Sequence, residues 1–339
     1  MGFFFSYAII IQMRSLFFKF HNVSMEVESD IEKILQMIKF QFRMHLISGN
    51  STGKKLRITI SPSGRAIKIP HGYKKLAFYN NVIIYRSPET KNFLITDGFS
   101  AARLNPRAGS AEILVGPIAI NDPQTFSPLL FTVLVIELLR YKELYYLHSG
   151  AVSNGNKSIL IVGEGDSGKT TLTTSFIKSG YSYLSDDAVF LSPAEGRRVI
   201  AYPLARDFQF MRDTASIFPE IAALAPKTYH GPKLPVQAEK VFNNKYIPFA
   251  SPNILLFIRI TKKPKTKISP VNYSEAIKHL ILNSHQIMFD RSLAEKHLGI
   301  LVNLLSQCLP FDAALGADIL RKPENIKKHL EEALCHYRK

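Results

Sequence analysis

Residues 163–170 read G-E-G-D-S-G-K-T, which puts Gly163, Gly168, Lys169 and Thr170 at the fixed positions of a phosphate-binding loop. The residue types suit that chemistry. Glycines let successive backbone N–H groups turn toward one anion. A lysine adds a point charge near the β and γ phosphates, and the terminal hydroxyl can ligate Mg2+. Ile159, Leu160, Ile161 and Val162 predict a buried strand entering the loop, and the residues after it predict a helix whose positive end meets the anion. The candidate nucleotide site is therefore Gly163, Glu164, Gly165, Asp166, Ser167, Gly168, Lys169, Thr170 and Thr171.

Beyond the helix, Asp186 and Asp187 stand together in the apolar run 181–191, which reads as one strand. A buried carboxylate is costly unless it is paired or bound to a metal. Alternation sends neighbouring strand side chains to opposite faces, so the two aspartates should do different work. One would hold Mg2+, directly or through water, and the other would take a proton from an attacking hydroxyl. The sequence does not fix which does which; Thr170 with Asp187 is the expected metal pair. His148, after Tyr145, Tyr146 and Leu147 on the strand preceding the loop strand, is either a hydrogen-bonded structural residue or a catalytic one. Arg206 and Arg259 would neutralise phosphate charge or form surface ion pairs.

The elements that must position these residues fall into two parts. At 339 residues and 46% hydrophobic content, the chain is long enough for two domains with packed cores. Residues 25–140 read as a β-rich part. It has a helix over 31–47, a hairpin of 56–60 with 66–69, short strands at 76–79, 82–85, 93–96 and 112–115, and a packed helix over 128–141. Residues 141–339 carry the chemistry. Asn154-Gly155 between two apolar runs predicts that the loop strand pairs antiparallel with its predecessor, which sets this chain apart from ordinary parallel phosphate-loop folds. Gly180 limits the loop helix to about ten residues, roughly 15 Å. A strand at 254–260 and helices from Ser274, over 293–304 and from Pro323 complete the reading.

Residues 1–24 begin almost wholly apolar, without a basic start or a small-residue cleavage site. They read as a start-site artefact or a disordered lead, with translation expected from Met25. The unbroken run is too short to span a bilayer. Cys308 and Cys335 lack metal-site or disulfide-framework spacing and fit a reducing, cytoplasmic setting. The net charge is +16, and residues 221–270 hold nine Lys/Arg against Glu239 alone. That stretch is a surface for an acidic partner or a set of solvated basic loops. No nucleic-acid-binding module accompanies it.

The run from Tyr146 and His148 through the loop to Leu184, Ser185, Asp186 and Asp187 resembles the catalytic domain of HPr kinase/phosphorylase and its wider group of related proteins. The resemblance implies an α/β fold: a P-loop kinase domain with a mixed sheet, similar to ATP-type phosphoenolpyruvate carboxykinase, behind a β-rich N-terminal part. It implies ATP and Mg2+ as cofactors, Lys169 and Thr170 on phosphate and metal, the Asp186–Asp187 pair as base and metal contact, and His148 close to the reacting phosphate. Lys169, His148, Asp186 and Asp187 are then the catalytic set. The acceptor would be a hydroxyl, foremost a serine of a protein or peptide and next a small alcohol. Glu164 and Asp166 depart from the expected loop and must point away from the nucleotide or weaken its binding. The glycine-containing signature that follows the aspartates in that family has no counterpart here, so HPr and the reverse reaction are not implied. A nucleotide-binding regulator without catalysis and a carboxykinase-like enzyme are the rival expectations. A homo-oligomeric state is left open.

Overall fold

The computed structural model describes residues 14–49, 53–65, 68–79, 81–224, 233–285 and 289–337. The chain divides into two compact units, Met1–Lys142 and Glu143–Lys339. Among the described residues no helix is long and apolar enough to cross a membrane.

Among the described residues the first unit holds a nine-stranded sheet. Residues 1–13 of the apolar lead lie outside the described residues. From Arg14 the lead is strand and not disordered: Arg14–Phe20 pairs antiparallel with Val23–Ser29, Phe18 opposite Met25. Alternation drives this, because Phe18 and Phe20 are buried while Lys19 lies in water. The hairpin expected around residues 61–64 is not formed. Lys54–Pro62 instead lies between Val23–Ser29 and Ser110–Val115, parallel to both, burying Leu56, Ile58 and Ile60. With both edges paired, it has no edge left for residues 68 and 69; residues 66 and 67 lie outside the described residues. The helix expected over 31–47 is shorter, Glu32–Gln41 followed by a 3-10 turn, Arg43–His45. The helix Pro128–Arg140 is packed, and its Glu137 and Arg140 form a fully buried ion pair at 2.9 Å.

The second unit is built on a mixed six-stranded sheet. Its order is Ser182–Ser185, Ser149–Ser153, Ser158–Val162, Ile254–Ile260, Leu309–Leu315 and Lys267–Pro270. Ser149–Ser153 and Ser158–Val162 form the expected antiparallel hairpin, closed by residues 154–157 with Gly155 at φ 89° and the Asn154 carboxamide accepting the Lys157 N–H. Ser158–Val162 then pairs parallel with Ile254–Ile260, and that strand parallel with Leu309–Leu315. Both faces are covered, as the unbroken apolar run of Ile159, Leu160, Ile161 and Val162 requires. Ile159 and Ile161 pack with Leu172, Phe176 and Leu330 from the helices Lys169–Lys178 and Ile326–Tyr337. Leu160 and Val162 pack on the opposite side with Leu280 and Leu301 from Tyr273–Leu282 and Arg291–Gln307. The cap of Tyr273–Leu282 is Asn272, not Ser274; its side chain accepts the Glu275 N–H at 2.9 Å.

The run 181–191 is not a single strand. Ser182–Ser185 ends in the large sheet and Val189–Pro193 begins in a separate three-stranded sheet, with Tyr145–Leu147 and Val199–Pro203. The neighbouring chain makes the same passage in reverse: Tyr145–Leu147 pairs with Val189–Pro193 in the small sheet, and Ser149–Ser153 with Ser182–Ser185 in the large one. His148 fills one break and Asp186, Asp187 and Ala188 the other.

Candidate functional site

The glycine-rich loop 163–168 joins the carboxyl end of Ser158–Val162 to Lys169–Lys178, at the end of a parallel strand where open α/β sheets bind ligands. Two glycines there are required by geometry. A Cβ on Gly163 would lie 2.5 Å from the Ser167 hydroxyl and 2.9 Å from the Ile258 carbonyl, and Gly168 caps the helix at φ 96°. The Lys169 ammonium folds back over the loop onto the carbonyls of Gly163 and Glu164, both at 2.7 Å. Burial pulls its pKa down to about 8, against the opposing pull of Asp187 and Asp186.

The break between the two sheets supplies the carboxylates. Chain that leaves one sheet for another has no ladder to follow, so Ser185 holds the bend by accepting the Asp187 and Ala188 amides on its hydroxyl at 3.3 and 3.2 Å. The bend turns both aspartates toward one cavity, where strand alternation would have sent them to opposite faces, yet gives them different surroundings. Asp186 is 2% exposed and accepts the Thr170 hydroxyl at 3.0 Å and the Gln209 N–H at 3.3 Å. Burial, then the Asp187 charge, pushes its pKa up to about 7. The Asp187 side chain keeps 44% of its surface and takes a 3.1 Å hydrogen bond from His148 Nε2. Enclosure alone would raise its pKa, but the His148 bond and charge, then Arg206 and Lys169, draw it down to about 2.

His148 is set by the same break. Its N–H donates to the Asn283 carbonyl at 2.9 Å, and its Nδ1 is buried with no hydrogen-bond partner among the described residues. The His285 ring lies 5.4 Å away, its pKa lowered by burial and then by His148 and Lys169.

Gly165, Asp166 and Gly168 of the loop, the helix start and both aspartates open into one cavity of about 400 Å3, lined also by His148, Gln209 and Lys233, whereas Gly163 and Ser167 line a neighbouring one. The structure thus brings together Lys169, Thr170, His148, Asp186 and Asp187. It sets Thr170 against Asp186, where the sequence paired it with Asp187. The acidic loop residues behave differently from each other. Asp166, at φ 59°, forms an ion pair with Lys233 at 2.8 Å, and that bond holds its carboxyl below the usual range. Glu164 borders a second cavity of about 370 Å3, on the flank where Arg259 pairs with Asp312 at 3.0 Å. Arg259 is thus an ion-pair residue, whereas Arg206 is enclosed beside Asp187.

Sequence reasoning missed Lys233 and Gln209. Lys233 stood out only as one of nine cations in a basic stretch. Gln209 acts through its backbone N–H and leaves no side-chain signature.

No family model matches the chain, and no curated protein matches it. Among solved structures it is similar to the Hpr(Ser) kinase/phosphatase from Coxiella burnetii, at 11% identity and a TM-score of 0.31. The alignment covers 57% of this chain and 99% of that one. A likeness at that score is distant and decides neither substrate nor mechanism.

Proposed function

We propose that the chain is an ATP- and Mg2+-dependent kinase that passes the γ-phosphoryl group to a hydroxyl, with a serine of a protein or peptide as the favoured acceptor. One observation carries this reading. A single cavity joins a phosphate loop to two carboxylates held in opposite states, Asp186 buried and easily protonated, Asp187 open and ionised.

The residues fit the groups they would bind. Gly163 lets the loop pack tightly against the Ile258 carbonyl and the Ser167 hydroxyl, and the first turn of Lys169–Lys178 borders the cavity. The Thr170 and Asp186 oxygens stand 3.0 Å apart. Adjacent ligands of an octahedral ion with bonds of about 2.1 Å are separated by about 3 Å, so this pair matches two Mg2+ positions. Mg2+ commonly rests on one or two side chains plus phosphate and water. When bound there, Mg2+ would neutralise phosphate charge and hold the transferring group in line.

The chain's own residues do the rest. Lys169 moves its ammonium from loop carbonyls to phosphate oxygens. Asp187, aimed by His148, accepts the acceptor hydroxyl's proton as the new O–P bond forms and the bond to the β-phosphate oxygen breaks, leaving ADP. A carboxylate this acidic is a weak base, so the proton moves late, which suits a loose phosphoryl-transfer transition state. A carboxykinase-like reaction would need a set of arginines for an acid, and the described residues lining this cavity include none.

The test is to incubate the full chain with Mg2+ and γ-labelled ATP, once with lysate of its host lacking the protein and once with a panel of small alcohols. A labelled polypeptide carrying phosphoserine supports the reading. Label only on a small alcohol keeps the kinase and replaces the acceptor. No labelled product, with nucleotide bound, favours a regulator without catalysis.

A further inference from the structure

Among the described residues two ammonium groups line the transfer cavity, and only Lys169 belongs to the phosphate loop. The second, Lys233, comes from a strand far along the chain. Lys233–Val236 pairs antiparallel with Phe208–Met211, and Leu234 and Val236 are buried in the core while Lys233 faces the cavity. The backbone beneath Lys233 is therefore fixed, and its four-carbon stem is the movable part. Its partner strand also carries Gln209, whose N–H holds Asp186, so Lys233 is tied to the carboxylate side of the site as well as to the loop.

The loop supplies the partner. Asp166 stands 2.8 Å from the Lys233 ammonium, where a phosphate loop has no chemical need of a carboxylate and some reason to avoid one. Both side chains are well exposed, at 43% and 60%, so their ion pair is weak and easily exchanged. Lys169, by contrast, is buried and already engaged with two loop carbonyls, and Arg259 lines the neighbouring cavity on the other flank. A triphosphate entering this cavity carries more negative charge than Lys169 alone offsets.

We propose that Lys233 is a second phosphate-binding residue of this site, kept over the loop by Asp166 until a nucleotide arrives, and that it then leaves Asp166 for the terminal phosphate. Asp166 acts as a placeholder anion. It holds the lysine in reach of the cavity and lowers the electrostatic cost of two neighbouring ammonium groups before phosphate binds. The proposal rests on the nucleotide reading of the site and assigns its discrimination between tri- and diphosphate.

The test uses the full chain, fluorescent N-methylanthraniloyl derivatives of ATP and ADP with Mg2+, and the substitutions Lys233→Met, Lys233→Arg and Asp166→Asn. Lys233→Met should weaken ATP about tenfold and ADP by less than half as much on a logarithmic scale. Lys233→Arg should keep most of the preference. Asp166→Asn, which frees the lysine, should leave ATP affinity unchanged or raise it. If the ion pair served only to brace the loop, Lys233→Met and Asp166→Asn would lower affinity alike, and that result overturns the proposal. Equal losses of ATP and ADP in Lys233→Met overturn it too. Wild-type protein that binds neither nucleotide removes the reading beneath it. Protein that binds both, with Lys233→Met unchanged, removes this proposal alone.

Discussion

Thr170 and Asp186 meet at 3.0 Å, hydroxyl to carboxylate, although one opens the loop helix and the other sits in the bend between two sheets. The contact joins the glycine-rich loop half of the site to the carboxylate half. It predicts that Thr170→Ala raises the Mg2+ concentration needed for tight ATP binding by about tenfold, with little effect on ATP binding in the presence of a chelator. Calorimetric titration of ATP at graded Mg2+ measures this. An unchanged Mg2+ requirement would place the metal elsewhere.

Asp187 and His148 are predicted to separate chemistry from binding. Asp187→Asn should cut phosphate transfer by about 10²–10⁴ while ATP affinity is largely kept. His148→Gln, which leaves the carboxylate but loosens its aim, should cost less. The rate of product labelling, set beside nucleotide titrations of the same variants, gives both numbers. Full turnover in Asp187→Asn would refute the base assignment.

Much of this site could be read from the chain because its parts are local. Gly163 to Thr170 is one contiguous pattern, the Asn154-Gly155 turn announces the hairpin, and Gly180, at φ 97°, ends the helix as a glycine there should. What could not be read depends on distant partners. The apolar flanks of Asp186 and Asp187 look like one strand because both halves are buried, each in a different sheet. Lys54–Pro62 has hairpin-like alternation, but parallel neighbours far away in sequence claim both its edges. Lys233 reaches Asp166 only through the pairing of two short strands that no local signal links.

Gly163→Ala should be damaging for a purely steric reason. The added methyl would press on the Ile258 carbonyl and the Ser167 hydroxyl. The expected cost is about 1–3 kcal/mol of stability, together with loss of nucleotide binding because the loop must open. Denaturant melts with nucleotide titration check this; a variant as stable as wild type that still binds ATP would contradict the loop geometry.

Asp186 makes stability depend on pH in an unusual direction. Its folded pKa of about 7 lies above its ordinary 3.8, so between these values the folded chain holds more protons than the unfolded one. This contribution is therefore fully present below about pH 4 and is lost as pH rises toward 7, on the order of 2–4 kcal/mol. Asp187 acts oppositely but lower, gaining stability from about pH 2 to 4, and Lys169 only above about pH 8. In metal-free buffer Asp186→Asn should flatten the decline between pH 4.5 and 7 and melt higher than wild type at pH 7.5. An unchanged slope in that variant would mean that Asp186 is not the group responsible.

The most direct measurement of the whole account is a crystal structure of the full chain with Mg2+ and a non-hydrolysable ATP analogue. The account predicts the triphosphate in the loop after Val162, the metal between Thr170, Asp186 and the phosphates, and the terminal phosphorus facing the open oxygen of Asp187. A nucleotide seated elsewhere, or a terminal phosphate turned away from Asp187, would contradict it.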